Sequence, residues 1–230
     1  MNAEKLSKRL ERVSKYIVPN GTLSDIGSDH AYLPCYAIES GLTSKAIAGE
    51  VVEGPYQSAK SNVAERNLAS KIDVRLGSGL SVLTLGEVDT ITICGMGGTL
   101  ISQILEEGKE KLSGRERLIL QPNINAESIR AWLQNNQWNL IAEEILEEDE
   151  KIYEIVVAEK TEVVNLSEAE MLMGPFLIKE KNQTFIQKWS GELEHYKNIM
   201  KRLETAQQNE KNEEKKSELV HKISLIQSVL

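Results

Sequence analysis

Asp25-Ile-Gly-Ser-Asp-His-Ala-Tyr-Leu33 follows the apolar run Thr22–Ile26 and precedes a helix-like stretch, so an acidic residue leaves a short strand and a glycine turn comes at once. Open α/β sheets bind nucleotide cofactors at such turns, outside the carboxyl ends of their strands. A dinucleotide fingerprint needs glycines where Asp29 and Ala31 stand, because its backbone must approach a pyrophosphate at the helix N-terminus. The Asp29 carboxylate, in a crevice of low dielectric, repels phosphate and favours a cation. S-adenosylmethionine carries a sulfonium and an ammonium group and no phosphate. The turn therefore reads as a methyl-donor site rather than an NAD site.

Outward from this turn, short apolar runs alternate with helix-period stretches. Thr22–Ile26, Ala46–Glu50, Ile72–Leu76, Thr90–Cys94 and Arg117–Gln121 read as strands, and the helical patterns between them imply a parallel sheet covered on both faces. Trp138–Ile145 and Ile152–Ala158 are joined by Glu147-Glu148-Asp149-Glu150, which leaves no room for a helix, so these two runs predict an antiparallel hairpin. The expected fold class is α/β: a Rossmann-like sheet in the class I methyltransferase layout, ending in a β-hairpin. Ahead of it, Leu6, Leu10, Val13 and Ile17 recur at intervals of three and four, which predicts an amphipathic helix ended by Pro19-Asn20-Gly21. Lys5, Lys8, Arg9, Arg12 and Lys15 lie mostly off its apolar stripe.

Beyond Lys160 the strand signal stops. Ser167-Glu-Ala-Glu170 has the form of a capping box, and Gly174-Pro175 breaks the helical pattern after it. A long helix then runs from about Lys179, with Phe185, Trp189, Leu193, Tyr196, Met200 and Leu203 at coiled-coil-like spacing. The polar tract Gln207–Lys216 contains a reversal, and Leu219, Ile223, Ile226 and Leu230 continue the spacing. This predicts an α-helical coiled-coil hairpin. The expected domains are a donor-binding catalytic domain over residues 1–160 and a helical domain over 161–230.

The 230 residues, 40% hydrophobic and 27% charged, fit a globular protein rather than a disordered or fibrous one. No stretch approaches the roughly 18 apolar residues of a membrane span, and the charged opening run lacks a signal peptide's apolar core, which predicts a cytoplasmic protein. Net charge is −8, which argues against indiscriminate polyanion binding over the whole surface. Residues 161–230 carry 10 basic and 11 acidic side chains, leaving 17 and 24 in residues 1–160. The acidity lies in the first domain, against which Lys5–Lys15 is a local basic stripe. Cys35 and Cys94 match no metal or disulfide pattern, and His30, His195 and His221 are scattered, so no metal is expected.

Within the first domain, Asp25 ends the first strand, and Gly27 permits a tight turn that brings backbone N–H groups, with Ser28 among them, to the methionine carboxylate of the donor. Glu50, followed by Val51, ends the second strand 23 positions after Gly27, where a carboxylate can take both ribose hydroxyls. Gly77-Ser78-Gly79 makes a turn that can lie against adenine. Cys94-Gly95-Met96-Gly97-Gly98 follows the fourth strand. Its first three residues would border the donor, and Gly97 and Gly98 would leave open space for a planar substrate base. Cys94 itself reads as a packing residue, not a nucleophile. Gln121-Pro122-Asn123 can read a base edge or cap the helix that starts near Asn125.

DIGSDHAYLP at Asp25–Pro34, IAGEV at Ile47–Val51 with EGP at Glu53–Pro55, ICGMGG at Ile93–Gly98, LQPN at Leu120–Asn123 and GPF at Gly174–Phe176 together resemble the TrmK family. Its members are tRNA adenine-N1 methyltransferases that act on adenosine 22 of the D-arm. The resemblance spans essentially the whole chain. It implies a Rossmann-like catalytic domain, S-adenosylmethionine as donor, and a C-terminal coiled-coil domain that helps to hold tRNA. Where the family usually has aspartate, this chain has Glu50 and Ser78.

Under that resemblance Asp29 is the choice for electrostatic stabilisation or removal of the N6 proton, with His30 second. Phosphate contacts would come from Lys5, Arg9 and Arg12 in the first stripe and from Lys188, Lys197, Lys201 and Arg202 in the hairpin. The heptad positions suit an intramolecular pair or an intermolecular bundle, and a monomer is expected. A small-molecule methyltransferase, a non-enzymatic recruiting module and an NAD-dependent oxidoreductase are the rival readings.

Overall fold

The parallel runs form β1 (Thr22–Ile26), β2 (Lys45–Glu50), β3 (Ile72–Leu76), β4 (Thr90–Gly97) and β5 (Arg117–Ile124), and the hairpin forms β6 (Asn139–Glu148) and β7 (Lys151–Glu159). They join in one sheet of order β3-β2-β1-β4-β5-β7-β6, with β7 antiparallel to β5. Strand order reverses between β1 and β4, which places the ligand crevice at the carboxyl ends of that pair. The computed structural model describes residues 5–162, 164–205 and 210–230. The chain divides into two units, Met1–Asn165 and Leu166–Leu230.

The helices of the first unit are α1 (Lys8–Ser14), α2 (Tyr32–Glu39), α3 (Glu53–Glu65), α4 (Gly98–Glu107) and α5 (Ala126–Asn135). Period-two alternation decides which helices each strand residue meets. On β7, Ile155 and Val157 pack with Leu10, Val13, Leu33 and Val63 of α1, α2 and α3 on one face. Val156 and Ala158 pack with Ile101, Leu105, Ile129 and Trp132 of α4 and α5 on the other. Strands buried on both faces read as near-continuous apolar runs, which made β4 and β5 at the centre of the sheet legible in the sequence.

Several boundaries differ from expectation, among them the start of the long helix of the second unit, which lies at Gln183 rather than near Lys179 because Lys181 is left-handed. The first helix is only Lys8–Ser14, so Leu6 and Ile17 reach the core from irregular backbone although both are buried. Ser14 Oγ donates to Glu11 O at 2.8 Å, a back-bond that competes with continuation of the helix. Strands β4 and β5 run three residues further than the apolar pattern, because Met96 and Gly97 pair with Pro122 and Ile124 across an irregularity at Gly95. The hairpin turn is tighter than four residues: Glu147 and Glu148 pair with Ile152 and Lys151. Only Asp149 (φ 49°) and Glu150 (φ 61°) turn, the two left-handed positions of a type I′ turn.

The second unit contains α6 (Glu168–Met173), α7 (Pro175–Glu180), α8 (Gln183–Thr205) and α9 (Glu210–Val229). Ser167 and Glu170 form the reciprocal capping box at α6, Gly174 turns the chain at φ 90°, and Pro175 starts α7. α8 and α9 pack as a hairpin, burying Phe185, Trp189, Leu219 and Ile226. Lys181 Nζ, ahead of α8, donates to Leu230 O at 3.1 Å, so the start of α8 lies beside the end of α9 and the two run antiparallel. The expected reversal within Gln207–Lys216 falls on residues 206–209, outside the described residues.

Candidate active site

At the end of β1 the Asp25 carboxylate is buried and accepts Ser28 Oγ and Thr92 Oγ1, each at 2.7 Å. Burial raises its pKa, against the two hydrogen bonds and the Arg9 charge that lower it. Gly27 has φ +69°, and a Cβ there would meet Met96 Cε at 2.3 Å, so both backbone and space call for glycine. The N–H groups of this turn are spent inside the protein rather than turned outward as expected. Gly27 N and Ser28 N donate to Gly49 O at 2.9 and 3.3 Å, and Asp29 N donates to Glu50 Oε1 at 2.7 Å.

Two cavities open at this rim, and both are bordered by Gly27 and Met96. The larger, about 310 Å³, is lined by Gly49, Val51, Gly77, Ser78 and Gly79, with Leu100, Gln103, Ile104 and Glu107 from α4. No lysine or arginine lines it. Glu50 lies beside it with its carboxylate on the Asp29 N–H, and burial raises its pKa. The smaller, about 190 Å³, is lined by Asp25, Ser28, Asp29, Cys94 and Gly95, with Arg9 and Leu10 from α1. Burial, helped by the Asp25 charge, pushes the Cys94 thiol pKa up, so it is a neutral wall. Cys35 is buried, and its thiol is pushed up to about 11.

Several expected site residues sit differently from their sequence reading. Gln121 is fully buried and engaged at both amide atoms: Oε1 accepts Arg9 Nη1 at 2.7 Å and Gly95 N at 3.1 Å, while Nε2 donates to Pro122 O. It braces the rim and is not placed to read a base edge. Asn123 is exposed and donates from Nδ2 to Gly95 O. Neither caps α5, whose N-cap Asn125 makes no side-chain cap bond. Gly98 is buried and borders no open space: a Cβ there would stand 1.9 Å from Asn125 O. Gly97 is half-buried.

The basic stripe is largely answered by the hairpin. Arg12 Nη1 pairs with Glu144 at 3.1 Å, and Lys8 Nζ donates to Glu147 O. The backbone N–H of Lys8 also donates to Glu148. Arg9 is turned inward, its guanidinium 5.6 Å from the Tyr153 ring centroid. The acidic tip, a plain turn by its sequence, is what draws α1 in. In the second unit, Lys197 pairs with Glu194 at 2.8 Å and Lys188 lies over the Trp189 ring.

Asp29 borders the smaller cavity with its side chain 74% exposed. His30 lines neither cavity: its ring stacks on Tyr32, with Nε2 3.7 Å from Asp29 Oδ1. Sequence reasoning missed the α4 side chains of the larger cavity, because a helix face shows its target only once the helix is docked. Among the described residues no group of three or more His, Cys, Asp or Glu could hold a metal, and no helix is long and apolar enough to cross a membrane.

The profile of the TrmK family, described as tRNA (adenine(22)-N(1))-methyltransferase, matches residues 23–228. The chain belongs to the TrmK family. It is 51% identical over 236 residues to the tRNA (adenine(22)-N(1))-methyltransferase of Bacillus subtilis, spanning 100% of this chain and 99% of that protein. The crystal structure of B. subtilis TrmK superposes with TM-score 0.94 over 98% of both chains. Streptococcus pneumoniae Sp1610, solved in complex with S-adenosyl-L-methionine, is 46% identical with TM-score 0.88, over 98% of this chain and 100% of that one. Mycoplasma capricolum TrmK, solved with S-adenosyl-homocysteine, is 28% identical with TM-score 0.83, over 97% and 96%. The expected class I methyltransferase sheet with its terminal hairpin is thus the TrmK architecture.

Proposed function

We propose that this TrmK member methylates N1 of adenosine 22 in tRNA from S-adenosylmethionine, in the cytoplasm and as a monomer, with the two cavities dividing the work. The observation that carries the assignment is the charge of the rim. The larger cavity has apolar walls, open glycine backbone and no cationic side chain, with Glu107 in its lining and Glu50 beside it. A diphosphate would be repelled there, whereas adenosine with a ribose carboxylate partner and a positive sulfur fits. Val51, Leu100 and Ile104 would flank the adenine, Ser78 would meet its edge, and Glu50 would take ribose hydroxyls.

The smaller cavity sets Arg9 beside Asp25, opposite charges that suit the two ends of an amino-acid zwitterion, with Asp29 at its mouth. Held by Gln121, Arg9 would take the donor's carboxylate, which the occupied N–H groups of Gly27, Ser28 and Asp29 do not. Bound across Gly27 and Met96, the donor supplies an electrophilic methyl group on sulfur.

The chain's own residues then have a limited task. Adenine N1 would attack the sulfonium methyl with a lone pair and needs no prior deprotonation; the sulfur–methyl bond breaks as the N1–methyl bond forms, the donor leaves as the neutral thioether, and the positive charge passes to the adenine ring. The exposed Asp29 carboxylate would stabilise that charge and could accept the N6 proton, with His30 beside it as the second choice for that role. Asn123 and Gly97 on the β4–β5 rim border the entering base. N1 lies on the Watson–Crick edge, so the nucleotide must leave its stack or pairing. Basic side chains of the helical unit, including Lys201, would meet phosphates.

Mapping the methylated nucleotide after incubating unmodified tRNA with labelled donor should give adenosine 22. Label at another position, or on a small molecule without tRNA, would replace this reading. Asp29→Asn is expected to bind donor normally yet slow single-turnover methylation by at least about tenfold. A wild-type rate in that variant would remove Asp29 from the chemistry.

A further inference from the structure

Asp29, His30 and Ala31 are three consecutive residues in left-handed backbone, at φ 45°, 67° and 55°, and none is glycine. Residues bearing a Cβ adopt this conformation singly and at a cost, so a run of three persists only where neighbours hold it. Two side chains do so. At one end Glu50 Oε1 accepts the Asp29 N–H at 2.7 Å. At the other, Asn62 Nδ2 of α3 donates to the His30 carbonyl at 2.7 Å.

The Asn62 amide is itself oriented. Its Oδ1 accepts Arg66 Nε at 3.4 Å, and Arg66 Nη1 reaches both carboxylate oxygens of Glu39 on α2 at 2.9 Å. The chain Glu39–Arg66–Asn62 thus joins α2 and α3 behind the turn and fixes which face of the amide meets His30. Asn62 lines neither cavity and has no place in the donor or base contacts described above.

We propose that Asn62 is a positioning residue for methyl transfer: by pinning the His30 carbonyl it keeps the Asp29–Ala31 run left-handed and so sets the Asp29 carboxylate at the mouth of the smaller cavity. The proposal rests on the reading of Asp29 as the group that stabilises the developing charge. A ground-state hydrogen bond to backbone adds nothing to donor affinity directly, so its loss should fall on the rate at saturation.

The test is single-turnover methylation of tRNA at saturating donor and enzyme, on the full chain, with Asn62→Ala and, should that variant be insoluble, Asn62→Ser. A displaced catalytic group costs on the order of tenfold to a hundredfold in rate, and that loss is expected. Adding Ala31→Gly makes positive φ inexpensive without the pin, so the double variant should recover most of the lost rate. A merely structural role for Asn62 would not respond to a glycine on the opposite side of the bond it makes. An Asn62→Ala rate within twofold of wild type, or a loss that Ala31→Gly leaves unchanged, overturns the proposal. Failure of the reading beneath it shows separately, as a wild-type rate in Asp29→Asn.

Discussion

Arg130→Met is expected to lower the stability of the first unit by about 3–5 kcal/mol, the cost of breaking a buried ion pair by removing one partner. Arg130 on α5 has no exposed side-chain surface, and its Nε meets Glu143 Oε1 at 2.7 Å while Nη2 meets Glu154 Oε2 at 2.5 Å. The two carboxylates come from β6 and β7, so one guanidinium ties the terminal hairpin to the helix that precedes it. Methionine matches the stem but leaves two acidic groups in the core without that positive charge.

The loss should depend on pH in a definite direction. Without Arg130, burial raises the folded-state pKa of both carboxylates above their unfolded value near 4.3. The penalty is complete above the folded pKa and absent below the unfolded one, so the variant should lose less stability at pH 5 than at pH 8. Urea unfolding at the two pH values measures this. Equal losses at both, or a loss under about 1 kcal/mol, would show that the guanidinium carries little of the hairpin's attachment.

Gly98→Ala should be as damaging without any change of charge. The added carbon would sit 1.9 Å from Asn125 O, 2.7 Å from Asn125 C and 3.1 Å from Ile124 O, all backbone atoms. No flexible side chain is available to give way. Asn125 is itself held at φ 59°, so the loop after β5 has little freedom to retreat. The cost should reach or exceed the upper end of the roughly 1–3 kcal/mol of ordinary overpacking. Calorimetry should show the melting temperature of the first unit falling by about 6 °C or more. Methylation should fall with it, because the β4 and β5 rims that would part carry Gly95 and Asn123. A melting temperature within about 2 °C of wild type would mean that the crossing yields more easily than two packed backbones do.

The centre of the sheet was legible because β4 and β5 are buried on both faces through Thr90–Ile93 and Leu118–Leu120, while the edge strand β3, Ile72-Asp-Val-Arg-Leu76, carries polar residues between its apolar ones. The hairpin was legible because Glu147–Glu150 cannot hold a crossover. Candidate positions on strand ends could be picked out for a related reason: Asp25 and Glu50 are acids closing apolar runs, a local signal. Gln121 shows the limit of that logic. Its amide was visible at a strand end, but whether it faces ligand or braces Arg9 depends on a helix more than a hundred positions earlier. Arg9 itself looked like one of five similar cations, and only the docking of α1 against the acidic hairpin turns it inward. Gly98 was read as open space because sequence cannot tell a glycine that makes room for a ligand from one that makes room for its own backbone. Asn62 had no signal at all, since a carbonyl held in left-handed backbone leaves no mark on the residue that binds it.

The span matched by the family profile begins at residue 23, after α1 has ended. Arg9 and Leu10 nonetheless close one side of the smaller cavity, and the N–H groups of Lys8 and Arg9 are gripped by Glu148 at the tip of the far hairpin. A fragment trimmed to residues 23–228 would keep the seven strands apart from Thr22, the glycine turns from Gly27 onward and both rim acids, and would still lack one wall of the smaller cavity. What separates a closed cavity from an open trough at this rim is a seven-residue helix that folds back across the first unit.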